Sequence, residues 1–390
     1  MSAKPLEGFT VLELTTYVAA PSCGRILATH GARVIKVESP RGDVERSFGA
    51  VTFCPTTDEE NPIYDTINGG KDAVCLDLKK PEDMARFHKL LEHADVFLTN
   101  NRPEPLKRMG LDYETLKEKY PRLVYTIMLG YGEKGPKTNF PGFDAIAMFA
   151  TGGFLQGLMI DDPNAYPVYI PLGFGDLICG SILAGAIGTA LLGREKTGTG
   201  DYVSISLYGT AMWLFSFMST GTQFGYKWPR GRYQGGPMGT PYKTRDGAWV
   251  LPVINEYERY WKSWCECVGA EEMIEDERYN TRKATFDPVR REEAIRYFEK
   301  KILELDSDEL VARCEAADLI VSKLGSFLDN HSSEQALVNG FMVPVTYPNG
   351  DQITLAQPPV KMGKLGESEA AFSHPIGADN EKVFREFGIA

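Results

Sequence analysis

The sequence predicts an α/β protein: a large domain on an open parallel sheet, followed by a smaller α+β domain. Three observations lead there. The first 45 residues read strand, helix, strand; further apolar runs of strand length recur with helical segments between them; and 390 residues exceed what one compact core usually holds. Phe9–Leu14 is a short apolar run. Pro21 opens a helical stretch that Gly31 closes, and Ala32–Glu38 (ARVIKVE) is β-branched and ends in charge. A strand–helix–strand unit of this length predicts parallel pairing, because parallel strands need a long crossover whereas a hairpin needs only a tight turn. Asp72–Leu78 continues the pattern as a strand and Pro81–Glu92 as a helix. Ala94–Thr99 (ADVFLT) is a buried strand, Tyr113–Lys119 a helix and Leu123–Leu129 a strand.

From Lys227 the texture changes to WPRGRYQGGPMGTPYKTRDGAW, rich in Gly, Pro and basic residues. Trp249–Ile254 then reads as a strand, and Glu256–Cys267, Arg290–Leu305 and Asp308–Ala317 as helices. The tail adds a strand from Met342, a hairpin turn at Asn349-Gly350, a second strand and a helix around Lys382–Phe387. The expected division is 1–226 for the first part of the large domain, 227–330 for the small domain and 331–390 for the return to the large one.

The large domain is Rossmann-like in pattern, yet TTYVAAPSCG after the first strand lacks the G-x-G-x-x-G of dinucleotide binders, which disfavours a nicotinamide cofactor. Sheets of this kind bind ligands at the carboxyl ends of their strands. The loops starting at Tyr17, Ser39 and Asn100 are therefore the places to look.

A formal net charge of −11 argues against a general nucleic-acid or anionic-membrane binder, both of which need clustered Lys and Arg. It leaves room for a local basic pocket around a phosphorylated ligand. The seven cysteines are irregularly spaced, which suits reduced thiols in a cytoplasmic protein, and Cys265 with Cys267 lacks partners for a metal site. The start MSAKPLEGFTVLEL has no signal-peptide pattern. Leu177–Leu192, the most apolar segment, falls about four residues short of a bilayer span and reads as a buried helix.

Asp176 follows two glycines and immediately precedes that helix, with Gly180, Ala184 and Gly188 spaced every fourth residue along one face. One reading makes Asp176 an N-cap. A second adds that a helix N-terminus keeps its carboxylate ionised, leaving an accessible nucleophile. Both readings can hold. The loop Gly130–Asp144 and the pair Gly235-Gly236 read either as surface loop and turn or as ligand-facing backbone. Arg41, Lys79, Arg102 and Arg108 are ordinary surface charges singly, and together suit a nucleotide's phosphates.

The succession LEGFTVLELTTYVAAPSCGRILATHGARVIKVESPRGD, NGGKDAVCLDLKKPED, ADVFLTNNRPEPLKRMGLDYETL, GYGEKGP, PGFD, GDLICG, TGTGDYVSISL and HPIGADNEKVFREFG resembles the class III CoA-transferase family, which includes formyl-CoA, carnitine and aryl-lactate CoA-transferases. The resemblance implies an interlocked homodimer, coenzyme A thioester as substrate with no tightly bound cofactor, and no metal. It places the nucleophile on Asp176 and an assisting carboxyl on Asp144. It places CoA contacts on Tyr17, Val18, Ala19, Leu76, Lys79, Asn100, Asn101 and Arg108, with Arg41 standing in where some relatives carry Arg at the position of Ser39. Gly235 and Gly236 fall on a glycine-rich loop that is longer in formyl-CoA transferases. Where relatives often have Gly-Ile-Pro, this chain has Asp318-Leu-Ile-Val-Ser.

The partners implied are an acyl-CoA and a small carboxylic acid, with no nucleic acid and no membrane. GLDYETLKEKYPRLVY and GYGEKGP resemble the transferases of anaerobic amino-acid fermenters, which exchange CoA between (R)-2-hydroxy acids, such as 2-hydroxyisocaproate or phenyllactate, and 2-enoyl-CoA. Phe143, Met148, Phe149, Phe154 and Trp213 are candidates for the acyl pocket or plain core. Two rivals differ in chemistry. A 2-methylacyl-CoA racemase needs a base where Phe143 stands; a non-catalytic acyl-CoA-binding protein would use Asp176 only as a cap.

Overall fold

The computed structural model describes residues 4–159, 164, 166–227, 231–366 and 369–389. Trp228, Pro229 and Arg230 of the Gly/Pro-rich stretch lie outside the described residues. Two compact units emerge: Met1–Leu155, Tyr169–Thr220 and Asn330–Ala390 form one, and Gln156–Val168 with Gly221–Asp329 the other. Relative to the division expected from sequence, 156–168 and 221–226 pass to the second unit and Asn330 passes to the first.

The first unit is built on β1 (Thr10–Leu14), β2 (Arg33–Glu38), β3 (Asp72–Cys75), β4 (Val96–Thr99), β5 (Val124–Leu129) and β6 (Tyr202–Ser206). Their spatial order is β3-β2-β1-β4-β5-β6, every pair parallel. β4 and β5 are buried at every residue, as strands covered on both faces must be, so their sequences are near-continuous apolar runs. The chain builds outward from β1 to β3, then returns to the other side of β1 with β4. That reversal opens a crevice between the carboxyl ends of β1 and β4.

Helices α1 (Ala19–Thr29), α2 (Pro62–Asn68), α3 (Pro81–Glu92), α4 (Pro103–Met109) and α5 (Tyr113–Lys119) connect the strands. Proline at the first turn of α2, α3 and α4 fixes where each begins, since its missing N–H would have no helical partner there. The long helix Phe174–Thr197 packs along α1. Gly180 is required there: a Cβ would lie 2.0 Å from Ser22 Oγ and 2.6 Å from the Ala19 carbonyl oxygen. The small-residue stripe holds at Gly180 and at buried Ala184, whereas nothing lies within 4 Å of a Cβ on Gly188.

This helix corrects two expectations. It runs 24 residues, long and apolar enough to cross a membrane by length and composition. It is also buried on one face only, leaving Leu177, Ile182 and Leu192 exposed on the other. Arg194 near its end is 4 % exposed and paired with Asp95 at 2.9 Å, which ties that turn into the fold.

The C-terminal segment closes the outer edge of β3. Asp379 Oδ2 accepts the Ala73 N–H at 2.7 Å and the Asp379 N–H donates to the Ala73 carbonyl at 3.1 Å. Asn380 accepts the Cys75 N–H at 2.8 Å and donates to the Cys75 carbonyl. Strands β10 (Met342–Thr346) and β11 (Gln352–Ala356) form the expected hairpin, with Gly350 at φ 94°. The second unit has a three-stranded antiparallel sheet of β7 (Tyr242–Lys243), β8 (Trp249–Pro252) and β9 (Val321–Lys323). Helices Tyr257–Cys267, Pro288–Ile302 and Ser307–Ala316 accompany it, over a core centred on Trp264 and Phe298.

Candidate functional site

The loop after β1 is fixed by its neighbours before any ligand arrives. The Thr16 N–H donates to Asn100 Oδ1 at 3.0 Å, and Asn100 Nδ2 donates to the Thr16 carbonyl at 2.7 Å. Asn101 Nδ2 donates to the Leu14 carbonyl at 3.1 Å, so the ends of β1 and β4 are laced together. Tyr17 adopts φ 63°, a left-handed conformation that a side chain disfavours. Its N–H donates to Asp43 Oδ1 at 3.0 Å, and its ring meets Phe143 edge-on at 5.1 Å. Such backbone strain costs about 1–3 kcal/mol and persists only where the surroundings impose it.

Those surroundings are charged and buried. Lys36 Nζ reaches Asp43 Oδ2 at 2.9 Å and Glu13 Oε1 at 3.2 Å, while Lys71 Nζ reaches Glu13 Oε2 at 2.9 Å. Glu38 accepts from Arg46, from the Tyr64 hydroxyl and from the Asp43 N–H. Burial pushes the Lys71 ammonium down to about 8, against the pull of Glu13. Asp43 thereby receives Lys36 on one oxygen and presents the other to two amides, those of Tyr17 and Glu45.

From the far side, β5 delivers a loop that doubles back. A Cβ on Gly130 would sit 2.9 Å from the Gly142 Cα. Asp144 then caps a π-helical turn, Ala145–Ala150, its Oδ1 accepting the Ala145 N–H at 2.7 Å. Its Oδ2 accepts the N–H of Gly175 at 3.0 Å, so the residue preceding Asp176 hangs from Asp144. Gly175 must be glycine: a Cβ would meet Met148 Sδ at 2.7 Å and Asp144 Cβ at 2.9 Å.

Asp176 sits in the first turn of the long helix, but it is not the cap. That position is Gly173, at φ 69°. The Asp176 carboxyl is 8 % exposed and accepts no hydrogen bond among the described residues. Its acidity corrects the expectation that the helix terminus keeps it ionised. Burial first, then the charges of Asp144 and Glu45, push it up to about 7. Losing water and facing two carboxyls outweigh the field of the helix end. Asp176 borders a cleft of about 210 Å³ shared with Thr16, Tyr17, Asn100, Phe143 and Leu207. The cleft lies at the carboxyl ends of β1, β4 and β5.

The other residues singled out by sequence fall in several settings. Ala19 lines this cleft and Val18 caps α1. Arg41 and Lys79 are exposed on the loops after β2 and β3, and Arg108 is exposed on the last turn of α4. Leu76 is 2 % exposed in the core against Val74 and Phe87, so only its backbone faces the strand end. Met148 and Phe149 are core, Phe154 packs on Phe149 and Phe215, and Trp213 is exposed beside a separate cleft with Glu133 and Ile182. Gly235 and Gly236 belong to the second unit. A Cβ on Gly235 would meet Thr240 Oγ1 at 2.7 Å, and Gly236 borders a cleft of about 400 Å³ with Asn255 and Arg282.

Sequence reasoning missed Asp43, Glu45 and Gly173. Gly42-Asp43 had a turn signal; Glu45, in the 3-10 helix Val44–Thr52 and 2 % exposed, had none.

Comparison with known proteins places this arrangement in context. Residues 6–380 match the model of CoA-transferase family III. The (R)-2-hydroxy-4-methylpentanoate CoA-transferase of Clostridioides difficile is 36% identical over 384 residues, 98% of this chain and 95% of that protein. The cinnamoyl-CoA:phenyllactate CoA-transferase of Clostridium sporogenes is 35% identical over 386 residues, covering 98% and 93%. Among solved structures, Rv3272 of Mycobacterium tuberculosis superposes with a TM-score of 0.84 at 26% identity, covering 98% of this chain and 100% of that one.

Proposed function

We propose that this chain, which belongs to CoA-transferase family III, moves CoA between an acyl-CoA and a free carboxylic acid with Asp176 as the transient acyl carrier. The observation that carries the reading is a buried carboxyl that accepts no hydrogen bond among the described residues, set beside Asp144 in a cleft at the strand ends. An Asp176 oxygen attacks the thioester carbonyl; the C–S bond breaks, CoA leaves as thiolate, and a mixed anhydride remains. The thiolate attacks the aspartyl carbonyl and expels the first carboxylate, giving an Asp176–CoA thioester. The incoming carboxylate opens that thioester to a second anhydride. Thiolate attack on its acyl carbon yields the new acyl-CoA and restores Asp176. Splitting the exchange keeps the thioester's free energy, provided water stays out.

Asp144 holds the helix start in register through the Gly175 amide. CoA runs over Tyr17, Val18 and Ala19, then Asn100 and Asn101, with Arg41, Lys79 and Arg108 for its phosphates and Leu76 through its backbone. The acyl class we assign is (R)-2-hydroxy acids and their 2-enoyl partners. Support comes from the two relatives named for 2-hydroxy-4-methylpentanoate and phenyllactate, and from the apolar cleft walls Met128, Leu129, Phe143 and Leu207. Phe143 stands where proton transfer at an α-carbon would need a base. A second copy of the chain covers the exposed apolar face of the long helix in this reading.

The test is chemical trapping. Incubation with acyl-CoA, then hydroxylamine or borohydride and peptide mass spectrometry, should find the modification on Asp176; full activity in Asp176→Ala with no adduct would sink the mechanism. A panel of acyl-CoA donors and carboxylate acceptors, read by CoA exchange, tests the substrate class.

A further inference from the structure

We infer that Asp43 is a positioning residue for the cleft that Asp176 borders: it holds Tyr17 in the left-handed conformation in which the loop after β1 receives CoA. The inference rests on reading this cleft as the acyl-CoA site.

The hold is one hydrogen bond long. Thr16 and Tyr17 line the cleft, and the Tyr17 N–H donates to Asp43 Oδ1 at 3.0 Å. A tyrosine at φ 63° occupies a region that its Cβ disfavours, so its surroundings must keep it there. Asn100 fixes the chain one residue earlier, at Thr16, and α1 takes it over at Ala19. Between those anchors Asp43 receives the amide of the strained residue itself. The Tyr17 ring meets Phe143, also in the cleft wall, edge-on at 5.1 Å, so the backbone conformation of Tyr17 decides where that wall stands.

Asp43 is itself held on three sides. Its N–H donates to Glu38 Oε2 at 2.7 Å, and Lys36 Nζ lies 2.9 Å from Oδ2. Glu38 accepts from Arg46 at 2.8 and 2.6 Å, and Arg46 also donates to the His374 carbonyl at 2.9 Å, which ties the group to the C-terminal segment. Oδ1 also accepts the Glu45 N–H at 3.1 Å, the bond that caps the 3-10 helix Val44–Thr52. Capping needs that bond alone. The second amide on the same oxygen comes from a residue 26 positions earlier, and it is the one at the cleft.

The experiment is titration calorimetry of free coenzyme A against the full-length protein, Asp43→Asn, Tyr17→Gly and the double variant, with a melting temperature for each. An amide has one acceptor oxygen. The Lys36 ammonium, a charged donor, takes it ahead of a neutral N–H, and the amide nitrogen then faces the Tyr17 N–H, donor against donor. Tyr17 leaves the left-handed region, the binding-competent fraction falls, and the Kd for CoA rises about ten-fold. Glycine enters that region unaided, so the same change in the Tyr17→Gly protein should move the Kd less than about two-fold. Asp43→Ala should repeat the pattern. An equal loss in both backgrounds, an unmoved Kd in Asp43→Asn, or failure of both Asp43 variants to fold overturns the role of Asp43 and leaves the cleft as the CoA site. A parent protein that does not bind CoA overturns that reading of the cleft, and the inference with it.

Discussion

Gly180→Ala probes whether the packing of the long helix against α1 sets the position of Asp176. By helix propensity alone this change should stabilise an interior position by about 1 kcal/mol. The structure predicts the opposite sign. The new methyl would lie 2.0 Å from Ser22 Oγ, 2.6 Å from the Ala19 carbonyl oxygen and 3.1 Å from the Cys23 nitrogen. Two of the three are backbone atoms that cannot rotate away. Overpacking of this kind costs ~3 kcal/mol, at the upper end of its range because the backbone must shift, leaving a net loss of about 2 kcal/mol. Asp176 lies four residues earlier on the same buried face, so separating the helices displaces it. A displacement near 1 Å should lower kcat/KM by about 10²-fold where the protein is still folded. Denaturant midpoints and kinetics on one preparation give both numbers. Ser22→Ala removes the closest atom, at the loss of its bond to the Ala19 carbonyl, and the double variant should recover about 1 kcal/mol. A neutral or stabilised Gly180→Ala would refute the reasoning.

Two further outcomes follow from the site. Asp176→Asn should stabilise the protein above about pH 7 and not below about pH 4: the native carboxyl is raised from 3.8 to about 7, so the folded state holds a proton that the unfolded state loses across that window, and stability falls as pH rises through it. Melting temperatures of parent and variant at the two ends of the range check the sign. Asn100→Ala removes both bonds to Thr16 and should raise the KM for acyl-CoA about ten-fold with a smaller change in kcat, as expected for a loop that positions the bound thioester.

Most of the sheet was legible because β4 and β5 are apolar from end to end and each strand is bounded by Gly, Pro or charge. The edge strand β6, YVSIS, escaped notice: with two serines and no fully buried residue it lacks that signature. The short helices α2 and α4 were missed, although α5, of the same seven-residue length, was read. At the site, the order of motifs located Asp176, yet its local energetics were misjudged. A carboxyl at a helix start reads as capped and charged, and only the fold buries it within range of the charges of Asp144 and Glu45. Glu45 itself has nothing in its sequence neighbours to mark its burial.

The closing of the β3 edge by Asp379 and Asn380 has a consequence for synthesis. Their partners Ala73 and Cys75 are some 300 residues earlier, so this edge stays open until residues 379 and 380 have left the ribosome. An unpaired strand edge is a template for another chain. Premature termination shortly before residue 379 should therefore yield a species with most of its core and a sticky edge, prone to aggregate rather than merely to unfold.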